Sequence, residues 1–263
     1  MVERPLPRIK GLQENTLIDW EGRVAAVVFL AGCNFRCPYC HSRHLVLAPD
    51  VLESIPLEQV DEMIKRDAGW LDGVVISGGE PTLQKGLPDL ITHFRELGVG
   101  VKLNTNGSRP DVIARLLAEG MLDMIAMDVK APLDERYERN AGLPVDLAAI
   151  EESIERIISS DISYEFCTTV CPALLSEDDV IATALALRGA RRWVLQKFSP
   201  LNCIDQSLLS LPAYDIATMR SLAQRSQKYV QHCFVRGDAA QPAGTTDDPS
   251  TSLRTGGRQT MDG

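Results

Sequence analysis

The chain has 263 residues, 44 % of them hydrophobic and 24 % charged, so it can bury a full core as one large domain or two small ones. Acidic residues outnumber basic ones by 36 to 27, for a net charge of -9, and the sequence has no basic stripe with interleaved aromatic residues, which argues against a nucleic-acid partner. The longest apolar runs fall far short of the roughly 20 residues that cross a bilayer, which argues against a membrane-spanning protein.

The regular part of the chain begins with the apolar run at residues 24–30. A run of this length, rich in β-branched residues, is typical of a strand buried on both faces. After it, Leu57, Val60, Met63 and Ile64 recur at helical spacing behind Pro56, which predicts a helix. The alternation then continues, with strand-like runs at 73–76, 99–103, 124–127, 163–170 and 192–196 and helical periods at 87–97, 111–119, 147–158 and 178–187.

Six strand-like runs that alternate with helices predict a parallel sheet with right-handed crossovers. Such a sheet is either doubly wound and open or part of a barrel. Polar or glycine-rich residues follow nearly every run, as in Asn104 to Gly107 after the third. Barrels build their active sites from many βα loops, whereas open sheets concentrate the site at one switch point. We therefore predict an α/β fold that forms a partial (β/α)6 barrel.

The C-terminal part of the chain changes character. Residues 214–227 have helical spacing and 229–235 form a candidate edge strand, but the stretch from Ala239 to Gly263 has hardly a large apolar residue. Such a composition cannot bury enough surface to offset the entropy of ordering. We expect one folded domain over residues 1–236 and a disordered tail over 237–263.

A dense cysteine cluster, Cys33, Cys37 and Cys40, follows the first predicted strand directly. Three thiols within eight residues suggest a metal site. A zinc site normally closes with four ligands, which His41 could complete here. An iron-sulfur cluster of four irons held by only three cysteines would instead leave one iron open to a small molecule. Both possibilities follow from the spacing alone.

The cellular compartment can also be inferred from the cysteines. The total of seven is odd, and the N-terminus from Met1 to Pro5 shows no apolar signal segment. Thiols stay reduced in the cytosol, so we expect a cytoplasmic protein without disulfides. Four further cysteines are widely spaced, which favours core packing over a second cluster; they are Cys167, Cys171, Cys203 and Cys233.

The Cys-x3-Cys-x2-Cys motif, followed one βα unit later by the turn Gly78-Gly79-Glu80-Pro81, resembles the signature of the radical S-adenosylmethionine (radical SAM) enzymes. The resemblance implies a 4Fe-4S cluster with Cys33, Cys37 and Cys40 as its metal ligands and catalytic residues. It also implies that the amino and carboxylate groups of SAM chelate the open iron. The other residues that it implies as cofactor contacts are Tyr39, His41, Gly78, Gly79, Glu80, Asn106, Asp128 and Lys130.

Within this group of contacts the resemblance assigns several roles. Tyr39 would lie near the adenine, the two glycines would hold the SAM ammonium with support from Glu80, and Asn106 would contact SAM or substrate. Asp128 and Lys130 would do the same, and Lys130 also counts among the catalytic residues. Without the resemblance, Asn106 is better explained as part of a turn. Asp128 and Lys130 fit an ordinary surface ion pair equally well.

More narrowly, the segments 11–20 and 32–41 are similar to the longer type of anaerobic ribonucleoside-triphosphate reductase activating protein. That family would cleave SAM to methionine and a 5'-deoxyadenosyl radical and take a hydrogen atom from a glycine of a partner enzyme. A reduced flavodoxin or ferredoxin-like protein would supply the electron. Ser42 and Cys167 depart from the pattern of the family, where asparagine and arginine are expected. The alternatives are a radical SAM enzyme that acts on a small molecule, as in modified-nucleobase synthesis, and a zinc-bound module without catalysis.

Overall fold

The computed structural model describes residues 5–238, which fold around one sheet of eight strands that follow each other in chain order. The first two strands are antiparallel and every later pair is parallel. Within the described residues the first and last strands form the two edges, so the sheet is an open barrel and the predicted partial barrel is confirmed. The strands are β1 (Ile9–Thr16), β2 (Ala25–Leu30), β3 (Gly73–Gly78), β4 (Gly100–Thr105), β5 (Met124–Asp128), β6 (Ser163–Val170), β7 (Arg192–Lys197) and β8 (His232–Val235).

Helices connect the parallel strands, and most lie where the helical periods predict them. Several begin at side-chain caps: Asp146 accepts from the backbone N–H groups of Ala148 and Ala149, and Ser176 forms a capping box with Asp179. The helices are α1 (Arg43–Leu47), α2 (Leu57–Arg66), α3 (Leu87–Glu96), α4 (Pro110–Ala118), α5 (Glu135–Ala141), α6 (Leu147–Ile158), α7 (Glu177–Ala186) and α8 (Ile216–Ser226).

Three elements were not predicted from the sequence. β1 pairs with β2 as its one neighbouring strand in the sheet of residues 5–238, and it is largely polar, so no continuous apolar run marks it. The helices α1 and α5 are five and seven residues long, too short for a helical period to stand out. The predicted disordered tail lies almost entirely outside the described residues. Within 5–238, no helix combines the length and the apolar character needed to span a membrane.

The two faces of the sheet differ in chemistry. On the face that packs against the helices, residues such as Val28, Ile76 and Leu103 belong to the large core, which also contains the buried residues of the helices. A second, small apolar cluster contains Trp20, Ala25, Val27, Val75 and Met124. Polar side chains continue the inner face along the later strands, where they line a cavity. The inside of the barrel is therefore apolar only in part.

A buried ion network lies on this inner face. Lys102 on β4 and Glu165 on β6 are each about 2 % exposed at the side chain, and their charged atoms are 2.9 Å apart. Arg236, after β8, donates to the same carboxylate at 2.7 Å, and Arg192 approaches it at 3.4 Å. Burial alone would raise the pKa of Glu165, but the charges of Lys102 and Arg236 outweigh it and lower the pKa.

The network also holds the loop between β1 and β2. Lys102 Nζ donates to the carbonyl of Asp19 at 2.5 Å, Arg236 donates to the carbonyl of Ile18 at 2.7 Å, and Arg192 pairs with Glu21. Because Arg236 follows the last strand and this loop follows the first, the contact bridges the two edges of the open barrel.

We expect Glu165→Gln to lower the free energy of unfolding by about 3–5 kcal/mol, because three cations would then lose their shared buried counter-charge. The measurement is urea unfolding of the metal-free chain followed by circular dichroism. Glu119→Gln is the matched control: Glu119 is 53 % exposed and lies 3.9 Å from Arg115, so its loss should cost below about 1 kcal/mol. Equal costs for the two variants would show that the network contributes nothing beyond a surface pair.

Candidate active site

The cysteine loop runs from the end of β2 to the start of α1 and is held on several sides by backbone hydrogen bonds. The N–H of Gly32 donates to the carbonyl of Leu45 at 2.9 Å, and the N–H of Arg36 donates to that of Ala141 at 2.7 Å. From the segment after β7, the N–H of Asp205 donates to the carbonyl of Pro38 at 2.9 Å. Parts of the chain far apart in sequence therefore fix the loop.

The three thiols of this loop are unbonded to each other; Cys37 is buried and the other two are half-buried. Burial is the main cause that raises the pKa of each thiol, and the positive charge of Lys130 partly opposes it in all three. The backbone N–H of Phe35 also donates to the sulfur of Cys33 at 3.3 Å. A nearby cation and an N–H donor favour the thiolate form, which is the form that binds metal.

The glycine turn after β3 packs directly on the cysteine loop. Gly79 donates its N–H to the carbonyl of Leu30 at 2.8 Å, and Glu80 donates its N–H to the carbonyl of Gly32 at 2.7 Å. A Cβ atom on Gly79 would lie 1.9 Å from the Gly32 carbonyl oxygen, and Gly78 has a φ of 116°. These two positions therefore need glycine for the approach of one backbone to another. Their predicted contact with the SAM ammonium stays a prediction.

Glu80 is 1 % exposed and ties this turn to the end of β4. Its carboxylate accepts hydrogen bonds from the Thr82 N–H and hydroxyl at 3.0 and 2.5 Å, from the Thr105 hydroxyl at 2.7 Å and from the Asn106 N–H at 2.6 Å. Burial raises its pKa, and these four bonds oppose that shift. Glu80 therefore fixes the relative position of two strand ends, whatever its predicted role towards SAM.

Asn106 follows β4 and reaches the cysteine loop. Its side-chain nitrogen donates to the side-chain oxygen of Asn34 at 2.9 Å and lies 3.9 Å from the sulfur of Cys33. Its side-chain oxygen accepts from the N–H of Ser108 at 2.9 Å. The residue that the sequence left between a turn and a ligand contact therefore lies beside the thiols.

Asp128 and Lys130, at and beyond the end of β5, form an ion pair of 2.9 Å. The lysine side chain is 12 % exposed and that of the aspartate 46 %. Burial alone would lower the pKa of Lys130, but the negative charges of Asp128 and Cys37 outweigh it and raise the pKa well above its usual value. This buried cation belongs to the site and is not one half of an ordinary surface pair.

Tyr39 and His41 lie on either side of the last cysteine of the loop. Tyr39 is 5 % exposed, and its buried hydroxyl has no hydrogen-bond partner within residues 5–238. Burial raises its pKa well above the usual value, so the phenol stays protonated. A ring nitrogen of the exposed His41 lies 2.8 Å from the carbonyl oxygen of Ser199.

All of these groups face one cavity of about 350 Å³, and every residue that the sequence predicts for the site lines it. Sequence reasoning missed Lys102, Glu165 and Arg236 on the same wall, and it noted Asn104 and Gln196 only as polar residues at strand ends. Strand periodicity could have found part of this set, because residues two apart on a strand share a face. Asn104 is two positions after Lys102, and Cys167 and Thr169 follow Glu165 at the same spacing.

The other cysteines divide into two groups. Cys171, Cys203 and Cys233 are buried in the large core, as their wide spacing predicts. Cys167 instead lines the cavity, where Arg236 donates to its sulfur at 3.6 Å, and burial raises its pKa to about 12. Ser42, the other departure from the resembling family, also lines the cavity.

The zinc alternative would require ligands that surround one ion, and the sequence places the candidates on the cysteine loop with His41. In the part of the chain from residue 5 to 238, no three His, Cys, Asp or Glu side chains converge as ligands of a single ion would. A structural zinc site draws all its ligands to about 2.0–2.3 Å from one ion. Thiolates that each bind a different iron of a cluster do not need to converge in this way.

Comparison with known proteins agrees with these features. Residues 27–187 match the model of the family described as the Radical SAM superfamily. A relative from Methanocaldococcus jannaschii, provisionally assigned as a glycyl-radical enzyme activating enzyme, is 31 % identical over 233 residues and covers 87 % of this chain and 95 % of its own. The 7-carboxy-7-deazaguanine synthase of Thermococcus kodakarensis is 27 % identical and covers 72 % of this chain and 79 % of its own.

Among solved structures, a domain of the pyruvate-formate lyase-activating enzyme from Bacteroides vulgatus has a similar fold. It superposes with a TM-score of 0.51 at 17 % identity and covers 63 % of this chain and 99 % of the domain. At that identity the similarity supports the fold alone.

Proposed function

Because the chain belongs to the radical SAM superfamily, we propose that it cleaves S-adenosylmethionine reductively and uses the resulting radical to take a hydrogen atom from a glycine of a partner protein. The superfamily uses a 4Fe-4S cluster and SAM. An anaerobic ribonucleoside-triphosphate reductase or a related glycyl-radical enzyme is the proposed partner. A reduced flavodoxin or ferredoxin-like protein is the proposed electron donor.

One observation carries the proposal: the cysteine loop, the glycine turn, Asn106 and the Asp128–Lys130 pair all line a single cavity. The reduced cluster, when bound, supplies the electron that splits SAM into methionine and a 5'-deoxyadenosyl radical. Binding and reduction of SAM must take place at the same point, because the electron is useful only if the sulfonium is held close to its source. A shared cavity meets this requirement.

The residues of the cavity fit these two groups. Cys33, Cys37 and Cys40 would hold the cluster, since they are unbonded thiols beside a buried cation. The hydroxyl of Tyr39 is buried without a partner among residues 5–238, so a polar ligand group in the cavity would satisfy it. Glu80 holds the glycine turn and Asn106 in place, and Lys130 places positive charge near the thiols.

The preference for a protein glycine rests on the Methanocaldococcus jannaschii relative, which aligns over nearly the whole length of both chains. The hydrogen atom would pass from the α-carbon of the glycine to the 5'-carbon, which gives 5'-deoxyadenosine and a glycyl radical. A small-molecule substrate is the second candidate, because a 7-carboxy-7-deazaguanine synthase also aligns over 72 % of this chain.

The test is anaerobic incubation of the reconstituted enzyme with SAM, a strong one-electron reductant and a partner protein from the same source. If the partner is the substrate, 5'-deoxyadenosine forms faster and an electron paramagnetic resonance doublet, split by one α-hydrogen, appears on the partner. A partner whose target glycine is replaced by alanine is the control and should give neither. Faster turnover with a deazapurine precursor, and no doublet on any glycyl-radical enzyme tested, would refute the proposal.

A further inference from the structure

Three strand ends that line the cavity carry neutral hydrogen-bonding side chains: Asn104 on β4, Thr169 on β6 and Gln196 on β7. Thr169 and Gln196 are directly paired across their two strands. The side-chain nitrogen of Asn104 donates to the hydroxyl of Ser77 at 3.3 Å, but its buried side-chain oxygen has no partner within residues 5–238. A buried acceptor without a partner is unfavourable, so this wall offers a binding position for a donor that enters the cavity, whether from water or from a ligand.

The buried charged side chains of the cavity, in contrast, already have partners in the chain. Glu80 accepts the four hydrogen bonds described above, Lys130 pairs with Asp128, and Lys102 and Arg236 share the carboxylate of Glu165. Lys197 also lines the cavity, but it is exposed at the end of β7, where its charge acts on Asp215. Apart from this exposed lysine, the strand-end side chains that remain available to a ligand are neutral.

A neutral set of this kind suits a peptide main chain. The amide of an asparagine or glutamine carries both a donor and an acceptor, and a peptide group offers the complementary pair. A carboxylate or phosphate group would instead call for uncommitted cations. A glycine has no side chain, so near its reacting α-carbon only the main chain offers groups to recognise.

We propose that Asn104 is a substrate-binding residue whose side-chain oxygen accepts a hydrogen bond from a main-chain N–H of the segment that carries the target glycine, with Gln196 and Thr169 binding neighbouring peptide groups. This inference rests on the proposed function and states which part of the substrate the cavity would bind, namely the main chain around the target glycine. It predicts that substrate binding depends more on the peptide groups next to the glycine than on the side chains of the flanking residues.

The first test uses Asn104→Leu and a synthetic heptapeptide centred on the radical glycine of the partner protein. The KM for the peptide should rise about tenfold, because the N–H of the bound peptide would be buried against an apolar side chain. Gln196→Leu provides a second variant and should also raise KM. Gln224→Leu, on the exposed surface of α8, is the matched control and should leave KM unchanged. Iron content and circular dichroism establish that each variant is folded.

The second test removes the donor from the peptide itself. Amide-to-ester replacement at the glycine and at the following residue deletes one N–H at a time. One of the two esters should raise KM for the wild-type enzyme about tenfold and have no further effect on Asn104→Leu, because the bond is already absent.

The outcomes separate this inference from the proposed function. If the wild-type enzyme forms the glycyl radical but Asn104→Leu and Gln196→Leu keep the wild-type KM, the backbone-recognition inference is wrong and the proposed function stands. Equal losses from the esters in the wild type and in Asn104→Leu would also overturn it. If the wild type forms no radical on any partner, both fail.

Discussion

Cys37→Ala is expected to abolish both the iron-sulfur cluster and the cleavage of SAM. Wild-type protein reconstituted under anaerobic conditions should carry about four irons per chain, as expected for a cubane held by three thiolates. We expect no other thiol to replace a lost ligand. Cys171, Cys203 and Cys233 are buried in the core, and Cys167, which lines the cavity, has a thiol pKa raised to about 12. The measurements are iron content, the brown absorbance of the cluster and the yield of 5'-deoxyadenosine. Cys33→Ala and Cys40→Ala should behave alike.

The matched control is Cys203→Ala, which removes a thiol that is also buried but packs in the core. It should keep its iron and lose only stability, by about 1–3 kcal/mol for the small cavity it creates. A triple variant of the loop that kept four irons, with the loss appearing only on replacement of Cys167 or Cys203, would place the cluster elsewhere.

The strands and helices with a clear periodic pattern could be predicted from the sequence. The six apolar runs became β2 to β7, and the helix from Leu147 to Ile158 has the predicted bounds. Such segments are recognisable because burial on a sheet or on one helix face imposes a period. β1 was missed since an edge strand with polar residues carries no such period, and its pairing with β2 depends on contacts that are not local.

The sequence was enough to place the motif residues of the candidate site at one end of the barrel, because parallel strands all end on the same side of a barrel. The contacts that hold these residues in position could not be predicted from the sequence. That Glu80 accepts hydrogen bonds from residues after β3 and β4, and that Gly79 is needed against Gly32, depends on distances between loops. The ion network of Lys102, Glu165 and Arg236 joins residues up to 134 positions apart and likewise has no local signal.

Lys130→Met is expected to lower the yield of 5'-deoxyadenosine by about 100-fold, the typical effect of removing one preorganised charge from an active site. The positive charge of Lys130 acts on all three thiols of the cysteine loop, and the side chain is too buried for water to replace that charge. Loss of a cation beside a cluster also makes reduction harder, so the midpoint potential should shift to a more negative value.

The Lys130→Met variant is expected to stay folded, so a change in yield or potential can be attributed to the loss of the charge. Asp128 is 46 % exposed, so water can solvate its carboxylate after the lysine is lost, and methionine preserves the length of the apolar stem. Lys65→Met, on the exposed last turn of α2, is the matched control and should leave both yield and potential unchanged. Lys130→Arg keeps the charge with a different shape, so it should restore the potential more fully than the yield.

A Lys130→Met enzyme with the wild-type yield and potential would mean that the cation acts on neither the thiols nor SAM, and that the pair with Asp128 serves only the fold.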